Sequence, residues 1–250
     1  MITTGNAKGY DALGRAVLWS SQGQQVMMQW EQQYMHTCVD ALRIRRSDRV
    51  LEIGFGLAYS ATHIQRFRPL LHTIIECDAA VIQDAETFAR SHEGVRVKRG
   101  TWQSLLPMLS ESDQFDCVFF DDYPLPELEE LGITQNQTRS LRTRSRWHDF
   151  LDAVLPHVAV GGRITGYLAR DIDLQRVGCR VETSAVDVKV SDTCEYFPHK
   201  TALVPVITVL DRRAAMTPGQ DMQGDGDKPA FPHQESSKLL QAESRHRTDG

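Results

Sequence analysis

One stretch constrains this chain more than any other: RVLEIGFG, residues 49–56. Val50, Leu51 and Ile53 read as a buried strand, and Gly54 and Gly56 as a turn at its end. LAYSATHIQRF (57–67) follows as a helix. HTIIEC (72–77), VRVKRG (95–100), FDCVFFDD (115–122) and GGRITGYLA (161–169) read as further strands. Helices at 80–92 and 146–157, and a short helical piece at WQSLLPML, fall between them. SAVDVKVS (184–191) and ALVPVITVL (202–210) are predicted to close the sheet as an antiparallel pair. The expected fold class is α/β, a doubly wound, mostly parallel, seven-stranded Rossmann-like sheet.

The 250 residues fit one such domain with an appendage, or two small domains. Residues 21–42 are predicted helical, because Val26, Met27, Trp30, Tyr34, Met35 and Val39 recur at steps of three and four. The expected organisation is an N-terminal helical segment over 1–45, the sheet domain over 46–213, and a mobile tail over 214–250. In that tail Gly, Pro, Gln, Asp and Ser replace aliphatic residues.

Lys and Arg number 28 against 33 Asp and Glu, a formal charge of -5. That balance gives no general reason to expect nucleic acid or an anionic membrane as partner. No apolar run approaches the length that crosses a bilayer. The N-terminal stretch is polar and Gly-rich, unlike a signal peptide. Five cysteines without a C-x-x-C pair argue against a zinc site or disulfide framework. Reduced thiols and a cytoplasmic location are expected, no metal is expected, and a homodimer stays open.

In an open α/β sheet, ligands sit beyond the carboxyl ends of the strands. Gly54 and Gly56 fall there, and Glu76 ends the next strand 22 residues after Gly54. An acid at that point can accept hydrogen bonds from ribose hydroxyls. Where a dinucleotide fingerprint carries its third glycine, this chain has Tyr59. The pattern therefore suits a nucleoside without a diphosphate, and S-adenosylmethionine is the leading candidate. The alternative is a plain tight turn beside a surface acid.

A second signal is CVFFDDYPLPE, residues 117–127, where an apolar strand ends in Asp121 and Asp122. Two acids pinned by Tyr123 and Pro124 mark either a turn or an active site.

In order and spacing, VMMQWEQQYMH (26–36), VLEIGFGLA (50–58), IIECD (74–78), RGTW (99–102) and DDYPL (121–125) resemble guanidinoacetate N-methyltransferases. Arginine methyltransferases share the pattern, and the resemblance spans roughly residues 20–168. The chain resembles in particular bacterial enzymes that methylate free L-arginine in nitrosourea antibiotic biosynthesis. The resemblance implies a class I S-adenosylmethionine-dependent methyltransferase. It implies cofactor contacts from Met27, Met35, Gly54, Phe55, Gly56, Ala58, Tyr59, Glu76, Cys77, Asp78, Thr101 and Trp102, with Trp102 walling the adenine. It implies Glu31 and Asp121 as the catalytic, guanidinium-holding acids, with Tyr123, Ala169 and Arg170 as further substrate contacts. Asp122 is expected to have a local structural role.

The family has an Asn-Leu-Thr-like stretch where this chain reads YLAR (167–170), which bears on the tail of the substrate. Free L-arginine is the leading expected substrate and guanidinoacetate the alternative. Arginine within proteins comes next, and a non-catalytic nucleoside-binding subunit is the competing class. Arg139, Arg142, Arg144 and Arg146 form a basic run that reads either as a solvated face or as a lid over the substrate.

Overall fold

The structure, a computed structural model, describes residues 6–110, 112–122 and 145–215. Tyr123, Pro124, Arg139, Arg142 and Arg144 lie outside the described residues, as does nearly all of the expected tail.

The sheet domain opens with β4 (Arg49–Ile53), α2 (Tyr59–Arg66), β5 (Leu71–Glu76), α3 (Ala79–Ser91) and β6 (Val95–Arg99). It continues with α4 (Trp102–Leu105), β7 (Phe115–Phe120), α5 (Arg146–Val154), β8 (Val158–Gly166), β9 (Cys179–Asp187) and β10 (Thr201–Val209). The seven strands lie in the order β6-β5-β4-β7-β8-β10-β9. The first five are parallel, and β10 runs antiparallel to both β8 and β9. The chain steps outward from β4 to β6, then returns to place β7 on the other side of β4. The carboxyl ends of β4 and β7 thus adjoin where the winding reverses, with Ile53 in register with Phe120. A ligand cleft opens at such a point.

Burial on both faces explains the near-continuous apolar strands. Val50, Cys117 and Phe119 join the core under α2 and α3, while Leu51, Ile53, Val118 and Phe120 join the core under α4 and α5. Phe120 stacks on Phe150 with ring centroids 3.9 Å apart, and Trp102 and Trp147 meet the pair edge-on. Burying each such ring stabilises the fold by about 2–3 kcal/mol. A polar pair is buried beside the first core: Glu52 Oε2 lies 2.8 Å from His72 Nε2, and neither side chain is exposed.

The N-terminal segment corrects one expectation. Residues 21–42 are not a single helix. β1 (Ala7–Tyr10), β2 (Ala16–Trp19) and β3 (Gln25–Met28) form a three-stranded antiparallel sheet, and α1 spans Glu31–Ala41. Met27 and Met28 pair with Leu18 and Val17. Long-range pairing overrides the helical spacing there, while Tyr34, Met35, Cys38 and Val39 keep it within α1. Among the described residues, no helix is long and apolar enough to cross a membrane.

Candidate active site

The glycine turn after β4 is built by close approach. Gly54 has φ +82°, and a Cβ there would stand 2.0 Å from the Asp121 carbonyl oxygen. A side chain at this position would push β4 and β7 apart. Gly56 has φ +50°, and its missing Cβ makes room for the Met27 sulfur. That sulfur accepts the Leu57 N–H at 3.2 Å. Ala58 then opens α2 in a left-handed conformation.

Glu76 is buried, so the surface-acid reading fails. Its Oε2 accepts the Phe55 N–H at 2.8 Å. Its Oε1 accepts the N–H groups of Cys77 and Asp78 at 2.7 and 2.9 Å. A carboxylate offers about four acceptor positions, so room for about one more donor remains on Oε2. Burial raises the Glu76 pKa, and the three backbone donors oppose the rise. Asp78 caps α3 through the Ala80 and Val81 N–H groups and also takes the Asn6 N–H at 2.8 Å. Thr101 caps α4. Trp102 donates its indole N–H to Asp122 at 2.7 Å, and Arg146 donates to the same carboxylate.

Glu31 and Asp121 differ sharply from Glu76. Glu31 opens α1 and is 3 % exposed. Its Oε1 accepts the Met28 N–H at 2.8 Å and the Tyr196 hydroxyl. Burial pushes its pKa up to about 7, against the pull of those two donors. The Asp121 backbone N–H bonds to the Ile53 carbonyl at 3.0 Å. Its carboxylate has no hydrogen-bond partner among the described residues. The Asp121 pKa lies well above the usual carboxylate range because of burial first, then the charges of Glu31, Asp122, Glu52 and Glu76. Tyr59 is raised to about 12 by burial and by Glu31. Tyr167 is raised further by burial, Glu31 and Asp121.

These groups surround a cavity of about 620 Å³. Met27, Glu31, Gly54, Gly56, Glu76, Cys77, Asp78, Thr101, Trp102, Asp121 and Ala169 all line it. Five other predicted residues do not. Met35 is fully buried in the core beneath α1, and the Phe55 ring packs on Phe88 while only its N–H reaches Glu76. Ala58 shapes the turn, Tyr59 is half-buried behind it, and Arg170 is exposed.

Sequence reasoning missed Gln25, Tyr167, Glu195 and Tyr196, which also line the cavity. Tyr196 and Glu195 come from the loop between β9 and β10, some 165 residues beyond Glu31. The one local signal was the aromatic pair Tyr196–Phe197 in a segment otherwise polar. Carboxylates of Glu31, Glu76, Asp78, Asp121, Asp122 and Glu195 face Arg146 as the one Lys or Arg among the described lining residues, and Asp122 pairs with it. Such a wall attracts cationic ligands.

The wall fits a sulfonium nucleoside. A buried acid stands at the end of β5, an indole lines the same cavity, the glycine turn holds no diphosphate cradle, and the charge is negative. This fold and site define a class I S-adenosylmethionine-dependent methyltransferase. The chain belongs to the guanidinoacetate N-methyltransferase family, whose sequence profile matches residues 8–142, just over half its length. It is 34% identical over 114 residues to a protein arginine N-methyltransferase 2 from Yarrowia lipolytica, covering 42% of this chain and 24% of that one. It is 32% identical over 100 residues to a protein of the same name from Emericella nidulans, covering 39% of this chain and 24% of that one. The matched part thus spans about a quarter of these relatives. Among solved structures, TrmN from Thermus thermophilus aligns with a TM-score of 0.50 at 16% identity, over 74% of this chain and 50% of that one. That likeness concerns the fold alone.

Proposed function

We propose that this methyltransferase acts on a guanidino nitrogen of a small molecule, with free L-arginine first and guanidinoacetate second. The observation that carries this reading is the pair of underpaired carboxylates on one cavity wall, Glu31 buried and Asp121 half-buried. Two acids held close together and away from bulk water are costly in their charged forms. A guanidinium between them removes that penalty and presents a planar fork of donors.

Bound S-adenosylmethionine supplies an electrophilic methyl group on a cationic sulfur. Glu76, Trp102 and the Gly54–Gly56 turn are the residues that would hold its nucleoside. The guanidinium has a pKa of about 12.5, so prior deprotonation at pH 7 would cost about 7 kcal/mol. Carboxylates beside it favour the charged form and make that step harder. Glu31 and Asp121 therefore act by orientation. Oε1 of Glu31 is already taken by Met28 and Tyr196, so Glu31 offers Oε2, while Asp121 offers both oxygens. The two acids hold the fork in one plane and fix one nitrogen, which lowers the entropic part of the barrier. As that nitrogen forms its new bond it leaves conjugation, its proton becomes acidic, and the touching carboxylate accepts it.

The test is methyl transfer to a panel of guanidino compounds and an arginine-containing peptide, read by mass. L-arginine gaining 14 mass units per methyl is expected. Transfer to the peptide but not to free arginine would favour the activity that the relatives' names describe. Cofactor binding without any transfer would make the chain a nucleoside-binding subunit.

A further inference from the structure

Glu195 is not used by the mechanism above, yet it lies on the wall of the same cavity. Beside the cavity its loop is held to strand β3 by the Gln25 side chain. Gln25 Nε2 donates to the Thr193 carbonyl at 2.7 Å, and Gln25 Oε1 accepts the Glu195 N–H at 2.9 Å. The amide of Gln25 thus mimics a strand pairing. The same loop is tied further back, where Asp11 Oδ2 accepts the Thr193 hydroxyl at 2.9 Å and Arg15 donates to Ser191. The next residue, Tyr196, donates its hydroxyl to Glu31. One short segment therefore joins the guanidinium end of the cavity to a second carboxylate nearby. That second carboxylate has no hydrogen bond or ion pair among the described residues.

Resting on the function proposed above, we propose that Glu195 selects the tail of the substrate by accepting its α-ammonium group. Guanidinoacetate carries only a carboxylate at that end and would be repelled by Glu195. L-arginine carries an ammonium there, and attraction replaces repulsion. Glu195 is a specificity determinant, while Gln25 positions it.

The test compares L-arginine with its desamino analogue, 5-guanidinopentanoate, on wild type and Glu195→Gln. Glu195 is exposed and is held through its backbone N–H, so the variant should fold as wild type does. KM for L-arginine should rise about fivefold, the scale of one solvent-accessible ion pair, with kcat within about twofold. KM for the desamino analogue should stay level or fall. S-adenosylhomocysteine affinity, read by calorimetry, should not change. An equal loss on both substrates, no loss on arginine, or a loss confined to cofactor affinity would each overturn the proposal. A wild-type chain that methylates neither compound would instead defeat the guanidino function itself, and the assignment of Glu195 with it.

Discussion

Glu76 and Asp121 stand at the carboxyl ends of the two parallel strands that flank β4, and both line one cavity, but they are opposite in kind. Glu76 receives three backbone N–H groups and ties β5 to the glycine turn. Asp121 receives none on its carboxylate among the described residues, and desolvation first, then four other acids, raise its pKa. Glu31 lies between the two, with two donors on one oxygen and a pKa of about 7. A satisfied acid is architecture that a ligand can use. An unsatisfied acid is a standing demand for a cation. On the proposed function, the cofactor half of this site is largely built in advance, and the substrate half is completed by what enters it.

The sharpest way to break this comparison is to neutralise the substrate half. Asp121→Asn and Glu31→Gln should each lower methyl transfer by about 10²–10⁴-fold, the range for losing an orienting and proton-accepting group. Calorimetry should show S-adenosylmethionine binding retained in both. Wild-type-like turnover in Glu31→Gln would refute the clamp.

Stability should separate the halves by sign. Glu76→Gln keeps one acceptor oxygen where three N–H groups need partners, so it should destabilise the protein by about 1–3 kcal/mol in urea unfolding. Asp121→Asn removes a half-buried, desolvated charge repelled by Glu31, Asp122, Glu52 and Glu76, so the ligand-free protein should gain stability. Activity and stability then move in opposite directions at Asp121 and together at Glu76. Destabilisation of the ligand-free protein by Asp121→Asn would erase the distinction.

The pH dependence sharpens it further. The Glu31 pKa rises from 4.5 to about 7 on folding, so the folded chain holds that proton more tightly. Its contribution to stability is therefore full below about 4.5 and declines as pH climbs towards 7. The difference in unfolding free energy between wild type and Glu31→Gln should show this slope, up to about 1.4 kcal/mol per pH unit. Arginine methylation, measured as kcat/KM, should fall as pH drops below about 7, because the working form of Glu31 is the carboxylate. The smallest effect belongs to Tyr196→Phe. It removes a donor that favours the carboxylate, so the acid limb should move to higher pH by a fraction of a unit to about one unit. An unmoved limb would show that Glu31 does not govern it.

The sheet and the glycine-and-acid edge of the cavity were legible because both depend on local pattern. Alternating strands and helices, two glycines after β4 and an acid ending β5 all sit within short windows. Glu31 and Asp121 became legible through resemblance, since no spacing links residues ninety apart. Strand β3 was hidden because Val26 and Met27 share the spacing of the helix after them, and only pairing with β2 decides their state. Met35 follows Glu31 by one helical turn, but that deeper position meets core rather than cavity. Asp122 was read as local structure, but its partners among the described residues are distant in sequence, the Trp102 indole and Arg146. Gln25, Glu195 and Tyr196 were illegible because the fold alone brings β3 against the β9–β10 loop.

The most direct measurement is calorimetric binding of L-arginine and of L-citrulline, its uncharged urea counterpart, with S-adenosylhomocysteine present. Arginine should bind, citrulline should bind at least tenfold more weakly, and Asp121→Asn should narrow the gap. Equal binding of the two ligands by the wild-type protein would contradict the claim that these underpaired acids exist to receive a guanidinium.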